Sequence, residues 1–135
     1  MKKLVLVITI SFITVLGFGQ DAKEVTPESL AQAQLEAYNN HDIDAFLIPY
    51  ADSVEIYTFP DQLIMKGLDQ MRASYGPRFE QQKDLHCKLM NRMVLGNVVI
   101  DQEYVTGVPG EPVEVFAIYH IKDEKIVRVT FVRKE

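Results

Sequence analysis

Apolar residues recur at helical spacing soon after residue 26. Thr26 can cap a helix at this point because a Thr hydroxyl accepts a hydrogen bond from the first turn. A helix that starts here places Leu30, Ala33 and Ala37 on one face. We therefore predict a first helix that ends near Asn39 and buries that face.

Two further helices are predicted downstream. Asp42 can cap a short second helix, whose apolar residues would point inward. A longer third helix is predicted from residue 68 to about residue 82, with apolar side chains spaced by four. Gly76 and Pro77 fall inside this helix, and we expect the pair to kink or interrupt it because proline lacks a backbone N–H.

The second half of the chain alternates between apolar and polar residues, as β-strands do. A strand over 54–59 and its return over 63–65 flank a turn, and the four strands that follow lie at about 84–95, 98–107, 113–122 and 125–133. The short turns between these four strands predict antiparallel hairpins. Helices separated in sequence from such a sheet indicate an α+β domain. A curved antiparallel sheet wrapped on a long helix would leave a cone-shaped cavity, a usual place for a small-molecule site.

The N-terminal segment has the pattern of a signal peptide. Lys2 and Lys3 precede an uncharged apolar run of about 15 residues that ends in small residues. The run is shorter than the roughly 20 residues of a membrane-spanning helix. We predict a signal peptide over 1–19 cut between Gly19 and Gln20, a linker over 20–27 and one domain over 28–135. The expected location is secreted or periplasmic, with no membrane contact after cleavage.

Composition narrows the possible functions. The chain has 135 residues, enough for one domain, and a net charge of −5. We exclude nucleic-acid binding because phosphate contacts need clustered Lys and Arg, and the sequence has no basic run. Cys87 is the only cysteine, so an intramolecular disulfide cannot form. The three histidines lack metal-ligand spacing, and no cofactor motif is present; we therefore predict neither a metal nor a cofactor.

The strand over 98–107 carries two carboxylates on one face, Asp101 and Glu103. If this face lines the cavity, mutual repulsion and desolvation would raise one pKa and create a general acid/base pair. If it faces outward, both carboxylates are solvated or paired across the strand. Ile100 and Tyr104 on the opposite face have the long side chains typical of a core, which favours the outward alternative for the two carboxylates. Periodicity alone leaves open which face of the strand points inward.

Several other residues are candidates for the wall of the cavity. Asn91 is the one polar residue on an otherwise apolar face of its strand, so it needs a partner or serves a ligand. The full set of predicted ligand-binding residues is Tyr38, Thr58, Phe79, Asn91, Gln102, Tyr104, Tyr119 and Phe131. The predicted ligand is a small apolar molecule. Both faces of the strand over 113–122 are apolar, which predicts that one of them packs on a second copy of the chain in a homodimer.

Several sequence stretches resemble the SnoaL-like branch of the nuclear transport factor 2-like superfamily. The resemblance covers about residues 28–133 and is carried by LEAYNNHDIDAF at 35–46, YADSV at 50–54, LIMKG at 63–67, NR at 91–92, GNVVID at 96–101 and KIVRV at 125–129. It implies the cone-shaped α+β fold. It does not imply one activity, because the superfamily contains isomerases, polyketide cyclases, dehydratases, epoxide hydrolases and non-catalytic binding domains.

The ketosteroid-isomerase branch of this superfamily uses one tyrosine and two aspartates. By resemblance these positions fall on Gln34, Thr58 and Ala117, so none of the three residues is kept. The favoured function is therefore a binding domain for a small apolar molecule. The alternatives are an isomerase, cyclase or lyase that acts on a small carbonyl compound with Asp101 or Glu103 as base, and a homodimeric interaction domain.

Overall fold

The computed structural model describes residues 23–134 and confirms the α+β class. Its elements are α1 (Pro27–Asn39), α2 (Ile43–Leu47), β1 (Tyr50–Thr58), β2 (Gln62–Lys66), α3 (Gly67–Gln81), β3 (His86–Leu95), β4 (Val98–Thr106), β5 (Val113–Lys122) and β6 (Lys125–Arg133). The predicted signal peptide lies outside the described residues, so secretion stays a prediction. Between residues 23 and 134, none of the helices has the length and apolarity needed to cross a membrane.

The six strands form one curved, open sheet in the order β2-β1-β6-β5-β4-β3. The predicted hairpins of β3 to β6 are antiparallel, as expected from their short turns. The β1–β6 pair is parallel, and the long crossover between these strands contains β2, α3, β3, β4 and β5. The three helices pack on one face of the sheet, and the core lies between these two layers.

The first helix starts at the predicted cap, but its buried face differs from the predicted one. The Thr26 hydroxyl accepts a hydrogen bond from the Ser29 N–H, and the Ser29 hydroxyl accepts one from the Thr26 N–H. Ala33, predicted to be buried, is exposed, whereas the polar Gln34 is buried. The prediction was wrong because it counted only apolar residues, and Gln34 is inside because it has hydrogen-bond partners there.

The predicted interruption of the third helix does not occur. α3 continues through Pro77. A proline costs the helix one backbone hydrogen bond, which tertiary packing can offset. Here Tyr75 and Phe79 pack against Phe46 with ring centroids 4.8 and 5.5 Å apart, on both sides of the proline.

A β-bulge in β3 changes which of its residues face inward. Leu89 pairs with Glu103, but Asn91 pairs with Gln102, so β3 contains one extra residue at this point. An extra residue reverses the inward and outward alternation that follows it. Arg92 therefore shares the inner face of the sheet, and Asn91 lies on the outer face.

The outer face of the sheet is rich in apolar side chains that no described residue covers. Tyr104, Phe116 and Met93 are 39%, 44% and 54% exposed. This face is the surface that the predicted homodimer would use. The homodimer itself stays a prediction.

Candidate functional site

A cavity of about 110 Å³ opens between the helices and the inner face of the sheet. Its volume approaches the roughly 150 Å³ of an engineered protein cavity that admits benzene. Its wall is formed by Gln34, Leu35, Tyr38, Phe46, Tyr50, Tyr75, Arg78, Cys87, Glu103, Val105, Val108, Val113, Val115, Tyr119, Phe131 and Arg133. The space therefore suits a molecule about the size of one six-membered ring.

Four side chains form a buried chain of hydrogen bonds along the wall of the cavity. The Tyr50 hydroxyl donates to Gln34 Oε1 at 3.2 Å. Gln34 Nε2 donates to the Tyr119 hydroxyl at 2.9 Å, and that hydroxyl donates to Glu103 Oε1 at 3.0 Å. Because each donor in the chain has an acceptor, the network holds Glu103 in one orientation.

Glu103 is a carboxyl group whose proton is easily gained and lost near neutral pH. Burial raises its pKa from an ordinary value of 4.5 to about 7, and the negative charge of Asp101 raises it as well. Hydrogen bonding by the Tyr119 hydroxyl and the Cys87 thiol, and the charge of Arg92, lower the pKa and partly offset that rise. A carboxyl group with a pKa near 7 can act as a general acid or base at neutral pH.

Asp101 is two residues away on the same face, but it is already bound. Arg92 Nε and Arg92 Nη2 donate to its two carboxylate oxygens, both at 2.7 Å. Arg92 Nη1 also donates to Gln32 on α1, which joins the sheet to the helix. A bidentate Arg–carboxylate pair is among the strongest side-chain interactions. Asp101 does not line the cavity, and its arrangement is that of a structural ion pair.

Two tyrosine hydroxyls add hydrogen-bonding capacity to the wall. Within the described part of the chain, neither the Tyr38 nor the Tyr75 hydroxyl has a hydrogen-bond partner, although both residues line the cavity. Burial raises the pKa of Tyr75 to about 12, and it also raises the pKa of Tyr38. Both hydroxyls stay protonated at neutral pH, so they can donate hydrogen bonds to a ligand oxygen.

Four of the residues predicted for the site line the cavity together: Tyr38, Glu103, Tyr119 and Phe131. The orientation that the sequence left open is settled, since Asp101 is 0% exposed and Glu103 is 6% exposed. The preference for Ile100 and Tyr104 as the inner face was wrong. It failed because the outer face of this sheet is itself apolar.

Three predicted ligand-binding residues lie on the outer face. Asn91 is exposed there because of the bulge in β3. Gln102 Nε2 donates to Glu114 Oε1 at 2.9 Å, away from the cavity. Tyr104 points to the same side. None of these three can contact a ligand in the cavity.

Two others lie inside the fold or at its edge without lining the cavity. Thr58 is the last residue of β1 and is half-buried. Phe79 packs against Tyr38 with ring centroids 5.4 Å apart and stays behind the cavity wall. The four-residue spacing between Tyr75 and Phe79 predicted that Phe79 is buried. It could not predict whether Phe79 contacts a ligand.

The sequence did not identify Gln34, Tyr50 or Arg92 as parts of the site. Gln34 entered only as a position where the ketosteroid-isomerase tyrosine is missing, yet its amide connects two cavity hydroxyls. Ala117, another such position, is fully buried beside Asp101 in the β4–β5 register. Among residues 23–134, no cluster of three His, Cys, Asp or Glu side chains could hold a metal ion.

Comparison with known proteins places this architecture in a family. A family model described as "SnoaL-like domain" matches residues 31–129. A search of curated protein sequences finds no match.

Solved structures share the fold at low sequence identity. An uncharacterized cystatin-fold protein from Novosphingobium aromaticivorans is 24% identical with a TM-score of 0.75, over 82% of this chain and 100% of that one. A protein provisionally named a ketosteroid isomerase, from Kribbella flavida, is 16% identical with a TM-score of 0.66, over 81% and 78%. A provisionally named polyketide cyclase from Sinorhizobium meliloti is 19% identical with a TM-score of 0.64, over 76% and 93%. The family model covers most of the chain, and the chain belongs to the SnoaL-like domain family.

Proposed function

We propose that this protein catalyses proton transfer on a small carbonyl compound, with Glu103 as the general base. The observation that carries the proposal is a buried carboxyl group with a pKa of about 7 in the wall of a ring-sized cavity. A base is most effective when its pKa lies near the working pH. The reaction class is that of an isomerase, cyclase or lyase.

The reaction would start at the carbon next to the carbonyl group. The Glu103 carboxylate takes a proton from this carbon. The electron pair of the C–H bond forms a carbon–carbon double bond, and the π pair of the carbonyl group moves onto its oxygen. A hydroxyl of Tyr38 or Tyr75 donates a hydrogen bond to the negative oxygen that forms. Glu103 then returns the proton to the same carbon or to another position of the ligand. The reaction transfers only a proton, so it needs no external oxidant or reductant.

Deuterium exchange tests this proposal. Cyclohexanone matches the size of the cavity, and its exchange in heavy water can be followed by NMR. Glu103→Gln should reduce the exchange rate by about 10²- to 10⁴-fold, the usual effect of losing a general base. The wild-type rate should rise with pH through about 7 and then level off, because only ionised Glu103 accepts a proton.

Glu114→Gln is the matched control, because it removes a carboxylate from the outer face of the sheet. It should exchange cyclohexanone at the wild-type rate. A Glu103→Gln rate equal to that of the wild type would overturn the proton-transfer proposal.

The second candidate is a binding domain for a small apolar molecule, secreted if the predicted signal peptide is cut. It is favoured by the valine, leucine and phenylalanine side chains in the cavity wall and by Gln34, Thr58 and Ala117 at the ketosteroid-isomerase positions. Under this function, cyclohexanone would bind equally well to the wild type and to Glu103→Gln without exchange above the buffer rate.

A further inference from the structure

The rim of the cavity differs in charge from the rest of the molecule. Sixteen residues line the cavity, and the two that are exposed are both arginines, Arg78 and Arg133. Arg78 lies near the end of α3 and Arg133 ends β6, so two separate elements bring positive charges to one opening. The chain as a whole carries a net charge of −5, so this rim is a local positive site on an acidic protein.

Two of the other three arginines form ion pairs, and the third lies over an aromatic ring. Arg72 pairs with Asp44 at 2.8 Å, Arg92 pairs with Asp101, and Arg128 lies 3.8 Å from the centre of the Tyr57 ring. Within residues 23–134, neither Arg78 nor Arg133 forms an ion pair. Their charges therefore remain available to a ligand at the opening.

Two hydroxyl donors, Tyr38 and Tyr75, line the same cavity as the two arginines. The Arg78 guanidinium lies 5.5 Å from the centre of the Tyr75 ring. The charges of Arg78 and Arg133 both lower the pKa of Tyr75 and partly offset its rise, and Arg78 does the same for Tyr38. Arg78 thus acts on both phenols and Arg133 on Tyr75, and all four side chains line the same cavity.

We propose that the cavity selects small organic anions, above all carboxylates, which bind with the anionic group between Arg78 and Arg133 and the apolar body inside. This proposal rests on the proposed function only in using the same cavity. An arginine fork matches the two oxygens of a carboxylate, and the free tyrosine hydroxyls can donate to the same oxygens. When Glu103 on the inner wall is ionised, it repels an anion and so favours entry of the apolar end of the ligand first.

The anion site also predicts the class of substrate on which Glu103 would act. A ligand held by its carboxylate at the rim places its other end beside Glu103. The expected substrates are therefore small carbonyl-containing or unsaturated acids, rather than neutral ring ketones of the same size. Cyclohexanone would still enter the cavity, but without the contribution of the rim.

Phenylacetate and phenylacetamide test the selectivity, because they share one shape and differ in charge. Calorimetric titration of the wild type should show phenylacetate binding about tenfold more tightly, which corresponds to about 1.4 kcal/mol. Arg78→Met and Arg133→Met should each weaken phenylacetate binding by about three- to tenfold and change phenylacetamide binding by less than about twofold. Raising the ionic strength to about 1 M should reduce the preference, since the rim is exposed to solvent.

Arg72→Met is the matched control, because Arg72 lies on the same helix and does not line the cavity. It should bind both compounds as the wild type does. Equal wild-type affinities for the two compounds would overturn the anion proposal and leave Glu103-dependent exchange of cyclohexanone intact. Binding of neither compound would overturn it as well. Tight phenylacetate binding without Glu103-dependent exchange would support the anion site and contradict the proton-transfer function.

Discussion

Asp101 and Glu103 are two buried carboxyl groups, two residues apart on the same face of β4, with opposite roles. Asp101 meets the guanidinium of Arg92 through two bonds of 2.7 Å. Glu103 meets only neutral hydrogen-bond donors, Tyr119 and Cys87, and its pKa rises to about 7. The two residues share a strand, a face and a carboxyl group, so the difference in their roles comes from their hydrogen-bond partners. A buried carboxylate with a cation is a structural ion pair, whereas one without a cation is suited to proton transfer.

The largest effect is expected when Asp101 loses its cation. Arg92→Met leaves an unpaired charge where Asp101 is 0% exposed, and removing one member of a buried ion pair costs about 3 to 5 kcal/mol of unfolding free energy. Urea denaturation of the wild type and the variant measures the loss. The variant would make Asp101 resemble Glu103, as a buried carboxyl group with no cation.

An exposed ion pair provides the control for this variant. Arg72→Met breaks the pair with Asp44, whose side chain is 82% exposed, and should cost less than about 1 kcal/mol. The double variant Arg92→Met with Asp101→Leu should recover part of the loss, because no buried charge remains. Equal destabilisation by Arg92→Met and Arg72→Met would contradict the structural role given to Asp101.

The second prediction concerns the pH dependence that Glu103 gives to folding. Its folded pKa of about 7 exceeds its ordinary value of 4.5, so the folded state holds this proton more tightly than the unfolded state does. The resulting stabilisation is full below pH 4.5 and is lost as the pH rises through about 7. Each pH unit between the two values is worth about 1.4 kcal/mol, so the loss amounts to about 3 kcal/mol.

Glu103→Gln should lack this dependence, because an amide does not titrate. Denaturation at a series of pH values should show the wild type losing stability relative to the variant between pH 4.5 and about 7. Glu114→Gln on the outer face controls for the change in net charge. A constant difference between wild type and Glu103→Gln over that range would show that Glu103 titrates as an ordinary surface carboxyl group.

The sequence predicted the elements well, because their signals are local. Thr26 caps α1 as expected, and the turns at 96–97 and 123–124 join antiparallel strands. Each of these features depends on neighbours within a few residues. The two carboxylates were also placed correctly on a common face, because alternation along one strand is a local property too.

The site was harder to predict, because it depends on contacts between distant residues. Period-two alternation assigned Asn91 and not Arg92 to the inner face, since the sequence gives no sign of the bulge before Asn91. The bond between Gln34 and Tyr119 joins residues 85 positions apart. The sequence does not show which of the two carboxylates pairs with Arg92, because this depends on the register between β3 and β4. It therefore does not show which carboxylate stays free for proton transfer.

The smallest effect in this comparison concerns the neutral partner of Glu103. Tyr119→Phe removes the hydroxyl that donates to Glu103 Oε1 at 3.0 Å, and that bond favours the ionised carboxylate. The variant should lose about 1 to 2 kcal/mol of unfolding free energy, because Gln34 also loses its acceptor. The pKa of Glu103 should rise above that of the wild type, which NMR titration of carboxyl-labelled glutamate would measure.

Tyr57→Phe provides the control at the surface, because the Tyr57 hydroxyl donates to Glu55 at 2.8 Å. It removes the same kind of bond from a half-buried carboxylate that also pairs with Lys66, and it should leave the pKa of Glu103 unchanged. If Tyr119→Phe lowered the pKa of Glu103, water would have to reach the carboxylate in place of the hydroxyl and stabilise its charge better. Glu103 would then be a solvated carboxylate, and burial would no longer explain how it differs from Asp101.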